Sequence, residues 1–412
     1  MHLTPHLPPD QAANALLPFQ LGEWARARGD RASFVAHPPL HGGGAATVDG
    51  VITVPRTNRG VLQRTLRLGS IKGAWRIRRA ATAVIRDADI VHIHSNGLLP
   101  EVGAGLAARL GKPIVLTLYG TEIWHYRRKR LGPDLFTRAY QGASAVTFYS
   151  ARLLDRAREL GLDRPRLHVI YPPVAESFRH HDAAAQQDVR AALGVTARRL
   201  LVNVKRLHPL AGQRVLLEAL PLVLREHPDT HLVICGAGAL LADLQSVARS
   251  QGVERHVTFA GLVGNAQVAR YCAAADLFVL PSLLEALPTV AVEALASGTP
   301  VVSSDNPGGV ELHGVFGEDV RVVPREDAPA LAHAIVARLH DRQRTQAATQ
   351  TTIEERFRAG AVARQYWDVY AEVSRSTNGA DASRDQRANG LEGAAKRERN
   401  GVSGSGAGGP RD

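Results

Sequence analysis

Two periods of apolar residues organise this chain. Short apolar runs recur at intervals, and between them apolar residues return at helical spacing. In the first part the runs predict strands near residues 33–37, 50–54, 90–94, 114–119, 145–148 and 167–170. Helical spacing predicts helices over 18–28 and 98–110, the second closed by Gly111. The pattern then restarts. Strands are expected at 200–204, 231–235, 257–259, 277–280 and 301–303, with helices at 211–226, 240–251, 265–274 and 289–297. Such alternation implies parallel sheets covered on both faces. The chain is therefore read as α/β, with two Rossmann-like doubly wound domains facing a cleft. The first domain spans 1–173 and ends at Tyr171-Pro172-Pro173; the second spans 174–352 and begins with a polar linker over 180–188. A helix over 353–374 closes the ordered part. Its apolar residues Phe357, Val362, Tyr366, Tyr370 and Val373 share roughly one face, suited to packing back toward the first domain. From 375 to 412 the composition turns to Gly, Ser, Asn, Ala and mixed charge, and this tail is expected to be disordered.

Composition adds limits. With 412 residues, 45% of them hydrophobic, the chain can bury more than one core. No apolar run is long enough to predict a spanning helix. The opening MHLTPHLPPD does not read as a secretory signal. The two cysteines, Cys235 and Cys272, lie in apolar surroundings, which suits a reducing cytoplasm and excludes a disulfide framework.

The net charge of +11 is concentrated early. Arg56, Arg59, Arg64, Arg67, Lys72, Arg76, Arg78, Arg79 and Arg86 occur with no acidic residue among them, and Arg127-Arg128-Lys129-Arg130 forms a second knot. Interleaved apolar residues, Trp75 included, make Arg56 to Arg86 a candidate for an anionic membrane surface, with a solvated face as the plain alternative. The protein is expected in the cytoplasm, peripheral on the inner face of the membrane.

The most informative segment is LFVLPSLLEALPTVAVEALASGTPVV, residues 277–302. A buried strand ends at Pro281-Ser282, a loop carries Glu285, Pro288 opens a helix bearing Glu293, and Gly298 closes it. A helix N-terminus at a strand's carboxyl end offers unpaired N–H groups and positive dipole to a diphosphate. Two nearby carboxylates can accept hydrogen bonds from the paired hydroxyls of a ribose and a hexose. The alternative is a loop charge and a solvent-facing helix residue.

This segment resembles the signature of glycosyltransferase family 4, retaining enzymes of the two-domain GT-B fold, also described as glycosyl transferases group 1. In that family a proline-serine turn, a glutamate, seven residues and a second glutamate precede an alanine-rich helix. Glu285 and Glu293 match that spacing. The resemblance implies that Glu285 contacts the donor sugar, that Glu293 holds the ribose hydroxyls, and that Ala286 and Leu287 offer backbone amides. It implies Arg206 as the phosphate-binding arginine, with Lys205 beside it. Gly236 and Gly238 correspond to a glycine turn after the next strand, residues 305–311 to a donor-site loop, and Ala12 and Ala13 to the paired glycines of the first loop. Asp89–His94 and Leu116–Glu122 match two strand ends of the acceptor-binding half. Two substitutions stand out: Ala211 where a lysine is usual, with Lys205 and Arg214 as cationic neighbours, and Tyr119 where a histidine reaches the reacting centre.

The resemblance further implies a hexosyltransferase moving a sugar from a UDP- or GDP-sugar to a hydroxyl of a glycan or lipid-linked acceptor, such as a polysaccharide precursor. No metal and no cofactor are expected. A nucleotide-sugar 2-epimerase of the same fold, which would act on donor alone, is one alternative. A basic nucleic-acid-binding protein is the other; aromatic residues are scarce, no RNA-binding motif occurs, and no nucleic-acid partner is expected. Asp87-Ala88-Asp89 has the form of a metal motif but sits where a helix runs into a strand, and is read as structural. His92 and His94 share a strand face, as zinc ligands would. No further ligand gathers around them in the sequence, so they are read as a strand-end pair lining the cleft.

Overall fold

The computed structural model describes residues 1–10, 13–40, 49–56, 68–128 and 134–375. Ala12, the basic residues Arg59, Arg64, Arg67, Lys129 and Arg130, and the tail over 376–412 lie outside the described residues.

Two parallel sheets form the scaffold. The first holds β1 (His2–Thr4), β2 (Phe34–Ala36), β3 (Val51–Thr53), β4 (Val91–His94), β5 (Ile114–Leu118), β6 (Ala145–Phe148) and β7 (Leu167–Val169), in the order β3-β2-β1-β4-β5-β6-β7. The second holds β8 (Arg199–Val204), β9 (Thr230–Cys235), β10 (Val257–Gly261), β11 (Leu277–Leu280), β12 (Val301–Ser304) and β13 (Val320–Val323), in the order β10-β9-β8-β11-β12-β13. Strand order reverses between β1 and β4 in one sheet and between β8 and β11 in the other. Chains diverge at such a switch point, which leaves a crevice at the carboxyl ends of the strands.

The strands read as near-continuous apolar runs because both faces are covered. In the second sheet the pleat sorts neighbours to opposite sides. Leu200, Val202, Phe278 and Leu280 enter one core cluster, whereas Leu201, Leu277 and Val279 enter another.

The domains are joined twice, side by side. Val174 N–H donates to the Phe357 carbonyl at 2.8 Å, and the Tyr171 and Phe357 rings stack with centroids 4.7 Å apart. Beyond this crossing a helix over 359–375 enters the first domain, where Val362, Tyr366, Val369 and Val373 are part of the core.

Several expectations are corrected. The closing helix is not continuous over 353–374: residues up to Arg356 belong to the helix Ala347–Arg356, and Ile353 sits in the second domain's core. The break at Phe357 and Arg358 is where the chain pairs with Val174. The expected polar linker over 180–188 contains the start of a helix, Ala183–Ala192, whose first turn is capped by Asp182 accepting from Ala185 N–H. The first helix starts at Ala13, ahead of Pro18. Strands β1 and β13 have only three and four residues, too few for periodicity to separate them from loop.

Candidate functional site

Topology brings the ends of β8 and β11 together at the second sheet's switch point, and most of the expected donor-side residues lie there. Lys205 and Arg206 follow β8, and Glu285 lies in the loop after β11. The Lys205 ammonium is 2.5 Å from Glu285 Oε1, an ion pair that lacks the angles of a hydrogen bond. Arg206 is exposed, and its guanidinium makes no ion pair among the described residues. Arg214, by contrast, turns to Glu218 at 3.7 Å on its own helix.

Pro288 stands just before the helix Thr289–Ala296, at the capping position rather than within its first turn. One turn along, Glu293 projects from this helix without a hydrogen-bond or ion-pair partner among the described residues. Burial pushes its carboxyl up to about 7. Around the same sheet edge, Asn203 Oδ1, Gln213 Oε1 and Ser282 Oγ are buried without a hydrogen bond among the described residues. Native proteins pair nearly all such atoms, so a cluster of unpaired ones marks a place built to bind.

The loop carrying Glu285 is held from below and behind. The Ser282 carbonyl accepts from the Ser304 hydroxyl and, at 2.9 Å, from the Asn306 amide. Gly308 N–H donates to the Glu285 carbonyl at 3.1 Å. Residues 305–311 are not the loop expected from the sequence: a helix starts at Pro307, capped by Asn306 on Gly309 N–H. Glu311 on that helix reaches the other domain, accepting from Ala151 N–H at 2.6 Å and Arg152 N–H at 3.0 Å. Desolvation raises the pKa of this carboxyl, opposed by those backbone donors.

Gly236 and Gly238 serve the site through backbone fit. Gly236 has φ near +150°, and a Cβ there would overlap the Lys205 carbonyl; one at Gly238 would overlap the Leu207 carbonyl. With Lys205 N–H bonded to the Cys235 carbonyl at 2.9 Å, this turn seats the segment that presents Lys205 and Arg206.

The first domain approaches from the opposite side. Ala286 packs against its core cluster, and a Cβ on Gly120 would lie 3.2 Å from that of Ala286. Leu287 packs within the second domain. Glu122 fixes the turn at Gly120 by accepting from Gly120 N–H at 2.8 Å and from the Ser95 hydroxyl at 2.6 Å. Tyr119 precedes that turn, but its hydroxyl bonds His94 Nδ1 at 2.8 Å, directed into the domain. Ala13 begins the helix after the first loop.

His92 and His94 do not line the cleft. Both are buried in the first domain's interior, and His2 joins them from β1. The sequence missed this third histidine because ninety residues separate it from the pair, while parallel pairing sets His2 beside His92. The ring nitrogens of the three residues available as metal ligands lie within 4.8 Å of one another. Burial holds all three imidazoles below the ordinary histidine range.

Known proteins resemble this chain along most of its length. The profile described as Glycosyltransferase Family 4 matches residues 19–178, and that of Glycosyl transferases group 1 matches residues 186–355. TuaC of Bacillus subtilis, assigned to teichuronic acid biosynthesis as a glycosyltransferase, is 31% identical over 325 residues, covering 75% of this chain and 79% of its own. A GDP-mannose-dependent phosphatidylinositol monomannoside mannosyltransferase of Mycobacterium tuberculosis is 31% identical over 263 residues, covering 61% of this chain and 66% of its own. Among solved structures, HepE of Anabaena with UDP and glucose superposes with a TM-score of 0.66 at 21% identity, covering 90% of this chain and 99% of that one. Sucrose-phosphate synthase from Thermosynechococcus elongatus gives 0.69 at 20% identity, covering 91% and 99%. The GT-B architecture and the matched sequence thus agree, and the chain belongs to the family 4 glycosyltransferases.

Proposed function

We propose that this glycosyltransferase moves a hexose-type sugar from a UDP- or GDP-sugar to an acceptor hydroxyl, with retention of anomeric configuration and no metal at the donor site. The observation that carries this reading is the half-buried Glu293, without a hydrogen-bond or ion-pair partner among the described residues, on the helix that follows the loop of the Lys205–Glu285 pair at the β8/β11 switch point. Glu293, ionised, accepts two hydrogen bonds from the ribose hydroxyls. Glu285 orients the sugar, and Lys205 holds its carboxylate in place. Arg206 and the N–H groups opening the helix Thr289–Ala296 stabilise the departing diphosphate. A leaving phosphate oxygen takes the acceptor's proton as the hydroxyl attacks from the same face. The protein contributes orientation and charge stabilisation.

Nucleotide-sugar use is supported by relatives, one named for GDP-mannose and another solved with UDP and glucose. The acceptor is proposed to be a glycan or lipid-linked precursor, reached at the cytoplasmic face of the membrane. The helix Leu68–Asp87 favours the membrane: Ile71 is 67% and Trp75 59% exposed, one turn apart, among Lys72, Arg76, Arg78 and Arg79. Arg79 lies 5.6 Å from the Trp75 ring centroid. A basic helix with an apolar exposed pair suits an anionic interface. No helix among the described residues is long and apolar enough to cross a membrane.

Melting the protein with UDP-, GDP- and ADP-sugars tests the donor. One nucleotide class should raise the melting temperature, and Glu293→Ala should abolish the rise. A rise that survives in Glu293→Ala would remove that residue from the donor site.

A further inference from the structure

We propose that His2, His92 and His94 form a structural site for a borderline divalent cation, zinc in the first instance, which ties β1 to β4. The donors are three imidazoles, with no carboxylate or thiolate among them. That donor type suits zinc, nickel or copper and disfavours calcium and magnesium.

The geometry is close to what a shared ion requires. Two nitrogens each about 2.05 Å from one zinc at the tetrahedral angle lie about 3.3 Å apart. His2 Nδ1 and His94 Nε2 are 3.1 Å apart. Without a cation one of them must carry the proton between them; a cation takes the place of that proton and draws on both lone pairs. His92 lies against His94 with ring centroids 4.0 Å apart and completes the set.

The outer partners of a metal site are present as well. Ligating histidines use their other nitrogen to bond a fixed partner. For His94 that partner is the Tyr119 hydroxyl at 2.8 Å, and for His92 it is the Tyr370 hydroxyl at 2.6 Å on Nδ1. His92 Nε2 would leave the Thr117 hydroxyl, also at 2.6 Å, to reach the ion. Thr117 keeps a partner when it does, because its hydroxyl is 2.6 Å from that of Thr147. A groove runs beside two of the three ligands. It measures about 1170 Å³, lies at the amino ends of β1 and β4 and is bordered by His2, His92, Tyr370, Trp367 and Asp89. A water would fill the fourth position. The groove lies on the sheet edge opposite the donor residues, so the site is separate from the transfer chemistry.

The test uses the full chain without an affinity tag. After EDTA stripping, exposure to micromolar zinc and dialysis against metal-free buffer, about one zinc per chain should remain. Zinc should raise the melting temperature of the stripped protein by ~4 °C or more. His2→Gln and His94→Gln should each lose both the uptake and the rise. The wild-type measurement stands even if His94→Gln fails to fold. Retention below ~0.2 zinc per chain overturns the site. So does zinc retained equally by His2→Gln, which would place the ion elsewhere.

Discussion

The carboxyl edges of the two sheets treat their polar groups differently. In the second domain Asn203 Oδ1, Gln213 Oε1 and Ser282 Oγ are buried without hydrogen bonds and Glu293 has no hydrogen-bond or ion-pair partner among the described residues. In the first domain most polar groups at this edge are tied to one another, Thr4 to the Asn14 carbonyl, His6 to Asp10, Ser95 to Glu122, and Tyr119 through His94 to His2, and the unpaired atoms, Arg56 Nε and Trp124 Nε1, stand apart on separate strand ends. The second sheet's edge gathers its unpaired groups at one switch point, and the first spends most of its groups on holding a shape. The unpaired atoms therefore point to the donor side more sharply than any single motif does.

Substitutions can break this comparison, and the largest effect is expected at Glu285. Glu285→Ala should lower kcat by about 100-fold, comparable with losing one preorganised contact to a developing charge, with a smaller change in donor KM. Steady-state kinetics with the donor found by melting would check it, and unchanged kcat would remove Glu285 from the reacting centre. Glu293→Ala should weaken donor binding about 10- to 100-fold, the range for a hydrogen-bonded charge, measured by calorimetry.

Glu293 also sets a pH signature. Its folded pKa of about 7 lies above the 4.5 ordinary for a glutamate carboxyl. The fold is thus favoured by protonation at low pH, and this contribution is lost as pH rises toward and through 7. Donor binding runs the other way, because the hydroxyls need the ionised form. Donor affinity should rise across that window, and Glu293→Gln should flatten both trends.

Gly236→Ala should cost about 2 kcal/mol or more of stability, since the methyl group would overlap the Lys205 carbonyl at a φ that side chains avoid. Urea melts would read it, and a neutral result would mean that the turn can shift. The smallest effect is expected at Tyr119. Tyr119→Phe removes only the bond to His94, worth about 1 kcal/mol. A large loss of kcat with intact stability would instead place that hydroxyl at the substrate.

Some of this was legible along the chain and some was not. Glu285 and Glu293 lie in one strand-loop-helix segment, so their spacing could be read directly. Lys205 and Glu285 meet only because β8 and β11 are adjacent across the switch point. The Tyr119 hydroxyl could not be aimed from sequence, because its direction depends on His94 from another strand. The closing helix was visible as one apolar face, but its break at Phe357 was not, since Phe357 and the residues around it fit the helical pattern on either side.

The strand–helix alternation, the repeated doubly wound unit and the paired glutamates are written along the chain, all set by distances of a few residues that backbone geometry makes regular. Which strands lie side by side is fixed by the folded sheets. The tertiary structure joined Lys205 to Glu285, carried Glu311 across to the helix Ala151–Glu159, and brought His2 beside His92 and His94. Those contacts come from sheet order and domain closure, and a local period carries no record of either.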